Sequence, residues 1–101
     1  MDSKNKLDEK IQQKIIAIIS ALRPTAKIYL FGSRARGTNA ERADIDIALD
    51  EGHPLPLRDI DEIKNMFRES NIMYKIDVVD FNQVSSAMRN EILKERVIWK
   101  S

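Results

Sequence analysis

Apolar residues recur three and four positions apart from Leu7 through Ile11, Ile15, Ile18, Ile19 and Leu22. That spacing lays one stripe of a helix against a core, and it predicts a first helix over about Asp8–Leu22, closed by Pro24. The pattern then shortens to Lys27–Phe31 (KIYLF), a β-branched and aromatic run that reads as a strand. Gly32-Ser33 breaks the strand, and Arg34–Gly37 can form a turn of helix beginning there. A polar stretch through Thr38, Asn39 and Arg42 leads into a second strand at about Asp44–Leu49. Asp50–Pro56 carries Gly52, Pro54 and Pro56 and reads as a loop. Leu57, Ile60, Ile63, Met66 and Phe67 mark the apolar side of a second long helix, and Tyr74–Phe81 (YKIDVVDF) forms a third strand. Asn82 is the expected N-cap of a last helix through Val84, Met88 and Ile92, ending near Lys94, and Val97–Trp99 adds a short final strand. Helices and strands interleave throughout, an α/β (α+β) arrangement. With no repeat, low-complexity tract or linker, residues 1–101 are expected to form one domain.

The second strand carries the most chemical information. Side chains alternate between the two faces of a strand, so within ADIDIAL (43–49) Ile45, Ile47 and Leu49 point into a core. Asp44, Asp46 and Ala48 point the other way. Two carboxylates on one face, with nothing basic between them, repel each other. A divalent cation relieves that repulsion, and hard oxygen ligands suit Mg²⁺, which usually takes one or two carboxylates together with substrate phosphates. A bare Asp-x-Asp is a weak signal taken alone, since a solvated strand face gives the same pattern. Gly32-Ser33 strengthens it. The pair sits where an apolar strand gives way to a polar turn, and free backbone N–H groups there can cradle a phosphate. Glycine admits close approach and the Ser33 hydroxyl adds a donor. Arg34 and Arg36 lie in the same turn and could meet triphosphate charge, although arginines in an exposed turn are usually solvated.

The third strand offers two more carboxylates on opposite faces. Asp77 shares a face with Val79 and Phe81, and Asp80 with Ile76 and Val78. Asp80 stands at the strand end and is expected to serve a turn or cap. Asp77 lies mid-strand among apolar neighbours, where an unpaired charge is costly to bury, so it is the better third carboxylate. Lys75, on the same face, is its alternative ion-pair partner.

Composition narrows the field further. There is no cysteine, so neither a disulfide framework nor a thiolate metal site is possible, and the single histidine, His53, excludes a histidine-built centre. Oxygen ligands are the remaining metal option. A net charge of +1 is too small to suggest a broad nucleic-acid-binding surface, so no direct nucleic-acid contact is expected. The N-terminus MDSKNKLDEK lacks an apolar signal segment and no window approaches a membrane span, so a cytoplasmic, non-membrane protein is expected.

GSRARG, then DID within an apolar strand, then an isolated Asp in KIDVVDF, resembles the minimal nucleotidyltransferase (MNT) family of the DNA polymerase beta superfamily. The resemblance runs from Lys27 to Trp99 and includes the order of helices and strands. It implies a nucleotidyltransferase fold with a small mixed β-sheet flanked by helices. It further implies a metal-dependent transferase moving a nucleoside monophosphate, AMP from ATP, to a hydroxyl acceptor. Gly32, Ser33 and Arg34 would bind the nucleotide, and Asp44, Asp46 and Asp77 would be the catalytic and metal-holding triad. Two Mg²⁺ ions are implied, with Mn²⁺ able to substitute. The family often has Ser before the first Asp where this chain has Ala43, and a modest effect is expected from the change. Small MNT proteins are often encoded beside a helical HEPN-type protein, the two behaving as antitoxin and toxin. The resemblance therefore also implies a hetero-oligomer in which the partner is the acceptor. The alternative is a non-catalytic nucleotide-binding or antitoxin module that works by complex formation. Only one helix follows the three catalytic strands, so no second helical domain is expected to hold a small-molecule acceptor such as an aminoglycoside.

Overall fold

The computed structural model describes residues 9–101; Leu7 and Asp8 of the expected first helix lie outside that range. Helix α1 (Glu9–Leu22) is followed by strand β1 (Lys27–Phe31), a single helical turn α2 (Ser33–Arg36) and strand β2 (Ile45–Asp50). Helix α3 (Leu57–Arg68), strand β3 (Ile76–Asp80), helix α4 (Ser86–Glu95) and strand β4 (Val97–Lys100) complete the order. The strands form one mixed sheet in the order β3-β2-β1-β4. β1 runs antiparallel to both β2 and β4, and β2 runs parallel to β3.

The period-2 pattern of β2 decides how the layers assemble. Ile45, Ile47 and Leu49 are fully buried and pack with Ile15 and Ile19 of α1 and Ile60 and Ile63 of α3. Side chains of the opposite phase face α4 in a smaller cluster, where Tyr29, Ala48, Phe81 and Ile92 meet. There the Tyr29 and Phe81 rings stand edge to face, 5.6 Å between centroids. The sheet is thus covered by two helices on one face and by α4 on the other.

Three expectations are corrected. Ser85, not Asn82, caps the last helix, its hydroxyl accepting from the Met88 N–H at 3.2 Å. Asn82 is held in a turn that Gln83 closes onto the Asp80 carbonyl, and its amide donates to Asp50 at the end of β2. Leu57 and Met66 do not join the α3 stripe and are 74% and 43% exposed. The buried stripe of α3 is Ile60, Ile63 and Phe67, a narrower one because the helix touches the sheet on a single side. Met88 is likewise outward-facing. No helix of the described residues is long and apolar enough to cross a membrane.

Candidate active site

The site lies where β1 ends. Gly32 adopts φ 78°, ψ −158°, a left-handed-side conformation that glycine alone takes without strain. Its carbonyl accepts the N–H groups of Ala35 and Arg36, both at 3.1 Å, which starts the turn α2. Gly37, also at positive φ, ends it. A second constraint is steric: a Cβ on Gly32 would fall 2.3 Å from Oδ2 of Asp46. The turn and the carboxylate are therefore in direct apposition, and the hydrogen of glycine is what allows it.

Register assembles the carboxylates. Phe31 pairs with Asp46 across β1 and β2, and Asp46 pairs with Asp77 across β2 and β3. Paired residues of neighbouring strands share a face, so Asp46 and Asp77 stand side by side on the α4 face, beyond the point where α4 covers it. Asp44 lies just ahead of β2 in irregular backbone and is exposed, as is Asp77. Burial raises the pKa of the half-buried Asp46 above the ordinary carboxylate value, and the charges of Asp77 and Asp44 raise it further. Arg36 offsets part of this and Glu95 adds to it. Among the described residues, no three His, Cys, Asp or Glu side chains converge as a ready-made metal cage. A hard cation suits the three aspartates as donors, because it would relieve the charge that Asp77 and Asp44 place on Asp46.

Asp80 occupies the other face, opposite Leu49, and is buried. Its carboxylate accepts the Leu55 N–H at 2.7 Å and the Asn82 N–H at 3.0 Å, tying the loop ahead of α3 to the turn that follows β3. Among the described residues Lys75 makes no ion pair with Asp77. Both line a cleft of about 360 Å³, together with Lys64, Phe67, Arg68 and Tyr74.

The two arginines of the turn have separate fates. Arg34 is buried, its guanidinium donating to the carbonyls of Ala43 (2.9 and 3.1 Å) and Glu41 (3.2 Å) and lying 4.8 Å over the Tyr74 ring. It is committed to holding the backbone just before Asp44, which leaves Arg36 as the exposed cation of the turn.

Glu95, the last residue of α4, has no counterpart in the sequence reading. One carboxylate oxygen accepts the Gly32 N–H at 2.8 Å, and the other accepts Arg36 Nη1 at 2.8 Å. Burial works against its charge, but the hydrogen bonds from Arg36 and Gly32 outweigh burial and hold its pKa below the usual value. The available signal was position: an acid in the last turn of a helix sits at the negative end of the macrodipole and needs a partner.

Comparison with known proteins agrees with this geometry. Residues 13–101 match the family model described as "Polymerase beta, Nucleotidyltransferase". A Haemophilus influenzae protein named "Probable protein adenylyltransferase MntA" is 31% identical over 100 residues, spanning 97% of this chain and 88% of the relative. A toxin–antitoxin structure with AMP-PNP superposes with a TM-score of 0.75 at 27% identity, over 87% of this chain and 71% of that one. A complex of a tri-AMPylated Shewanella oneidensis HEPN toxin with an MNT antitoxin shares the fold, with a TM-score of 0.72 at 23% identity over 92% of this chain and 71% of that one. With its paired aspartates set against a glycine turn, the chain belongs to the polymerase beta nucleotidyltransferase family and is a nucleotidyltransferase.

Proposed function

We propose that the chain transfers AMP from ATP to a hydroxyl group on a HEPN-type partner protein and acts as its antitoxin. The observation that carries the proposal is the row Asp46–Asp77 lying against a Gly32 turn too close for any side chain. The relatives support the finer reading: one is named a protein adenylyltransferase, and another is a toxin–antitoxin assembly solved with an ATP analogue.

In this reading the Gly32-Ser33 turn receives the triphosphate, with Arg36 rather than Arg34 meeting its charge. The acceptor oxygen attacks the α-phosphorus, the bond to the β-phosphate oxygen breaks, and pyrophosphate leaves. Asp77, exposed and paired with Asp46 on the same sheet face, orients the acceptor hydroxyl and takes its proton. Asp44, Asp46 and Asp77 would hold Mg²⁺, which when bound supplies charge stabilisation for the phosphoryl group. Leu93, Val97 and Ile98, 45%, 44% and 50% exposed along α4 and β4, offer apolar surface for a helical partner in the cytoplasm.

The test is incubation of the purified chain with ATP and Mg²⁺, with and without the product of a neighbouring helical-protein gene. The expected result is a copurifying complex and added AMP mass on the partner. Efficient transfer to a free small hydroxyl compound, with no complex formed, would return the chain to small-molecule modification. Complex formation with no transfer and no joint stabilisation by ATP and Mg²⁺ would favour a purely binding antitoxin.

A further inference from the structure

We infer that Glu95 is a positioning residue for the nucleotide-binding turn, an inference that rests on the nucleotidyl-transfer reading above. Its carboxylate grips the turn at both ends. One oxygen fixes the Gly32 N–H and the other the Arg36 guanidinium, each at 2.8 Å.

The placement follows from topology. β4 pairs antiparallel with β1, Leu30 lying opposite Val97. Continuing that register by two residues brings Gly32 opposite Glu95, at the point where the chain leaves α4 for the sheet. The Gly32 N–H has no strand partner there, and a side-chain carboxylate takes the role of one. Because Glu95 ends α4, its charge opposes the helix dipole, and the Arg36 guanidinium with the Gly32 N–H compensates. The Glu95 side chain is 13% exposed and Arg36 is 50% exposed. The carboxylate is therefore the sheltered anchor, and the guanidinium is the half that reaches solvent.

Fixing the Gly32 N–H fixes the plane of the Phe31–Gly32 peptide. Glycine has the widest backbone freedom of any residue, and this peptide sets the direction in which the turn leaves β1 past Asp46. The second bond holds the Arg36 guanidinium beside the same turn. Glu95 thus orders both the backbone and the cation that an incoming triphosphate meets, and the ligand does not have to order them itself. Glu95 touches neither phosphate nor acceptor; it acts through Gly32 and Arg36.

The test uses the full chain, AMP-PNP with Mg²⁺, and the variants Glu95→Ala and Glu95→Gln. Glu95→Ala should weaken AMP-PNP binding, and raise the KM for ATP, by about tenfold while kcat stays within about threefold. Glu95→Gln, which still accepts the Gly32 N–H but loses the charge facing Arg36, should recover part of that loss. Glu95→Ala added to Arg36→Ala should cost less than it does alone, because the pair acts as a unit. Hydrogen exchange at the Gly32 amide reads the grip without nucleotide, and Glu95→Ala should speed it at least about tenfold. Unchanged exchange and unchanged AMP-PNP affinity in folded Glu95→Ala would overturn the inference. Tighter AMP-PNP binding would also overturn it, marking the carboxylate as a competitor of the phosphates. A wild-type chain with no nucleotide affinity would instead remove the transferase reading, and Gly32 exchange would still decide whether Glu95 holds the turn.

Discussion

Gly32 and Asp46 share a space that holds only one side chain: a Cβ on the glycine would lie 2.3 Å from Asp46 Oδ2. Two independent demands meet at this residue, a positive φ and a missing Cβ. Gly32→Ala should therefore destabilise the protein by about 1–3 kcal/mol and displace the Asp46 carboxylate. Nucleotide transfer should fall on the order of 10²-fold. Urea denaturation and steady-state kinetics measure the two effects. Normal transfer by a stably folded Gly32→Ala protein would show that the apposition has no part in the chemistry.

Asp46 gives a pH-dependent prediction. Its pKa is raised in the fold, by burial first and by Asp77 and Asp44 next. A raised carboxyl pKa means that the fold favours the protonated form, a contribution present at low pH and lost as pH rises through the raised value. Asp46→Asn keeps a neutral group at every pH. The variant should melt above wild type at neutral pH, and the difference should vanish below the unfolded carboxylate value of about 3.9. Transfer activity should be lost throughout. A variant that melts well below wild type at neutral pH would mark Asp46 as a structural ion-pair residue.

Asp77 and Asp80 should separate activity from stability. Asp77 is exposed and faces the site, so Asp77→Ala should abolish transfer while leaving nucleotide binding and the melting temperature nearly unchanged. Asp80 is buried with two backbone N–H donors, so Asp80→Ala should cost about 1.5–3 kcal/mol of stability. The folded fraction of Asp80→Ala should retain activity. Thermal melts and single-turnover assays at low temperature distinguish the two patterns, and an exchange of phenotypes would contradict the assigned faces.

The arginines of the turn should part in the same way. Arg34→Lys loses the forked donation to the Ala43 and Glu41 carbonyls and should destabilise by about 1–3 kcal/mol. Arg36→Ala, at an exposed position, should change stability by less than about 1 kcal/mol and raise the KM for ATP. Chemical denaturation with ATP titration resolves the pair. A large stability loss at Arg36 with none at Arg34 would invert the assignment.

What could be read from the chain was set by period and punctuation. Ile45, Ile47 and Leu49 alternate with Asp46 and Ala48, and no other placement buries the first set while freeing the carboxylate, so the strand and its faces were legible, although Asp44 falls just ahead of it. Lys27–Phe31 was bounded on both sides by unmistakable breaks. Arg34 and Arg36 were not separable, because a four-residue helix has too short a pattern to reveal its inner side. The loop at 37–43 that receives Arg34 is folded over it by tertiary structure. Asn82 and Ser85 are both good capping residues, and the turn closed by Gln83 onto Asp80 decides between them. Glu95 meets Gly32 across 63 residues through the β1–β4 pairing, a register that no local pattern encodes.

Asp46 belongs to β2, which is hydrogen-bonded to β1 on one side and to β3 on the other. An interior strand loses its ladder bonds only when the sheet itself comes apart, unlike loops and edges, which open cheaply and often. The amides around Asp46 and Ile47 should therefore exchange with solvent as slowly as any in the protein. The carboxylate at the centre of the site is mounted on an interior strand of the sheet. Its binding partners on the Gly32 turn and before Asp44 hang from more yielding backbone. Any adjustment on taking up a ligand therefore falls to the surrounding turns, with β2 as the fixed reference against which they move.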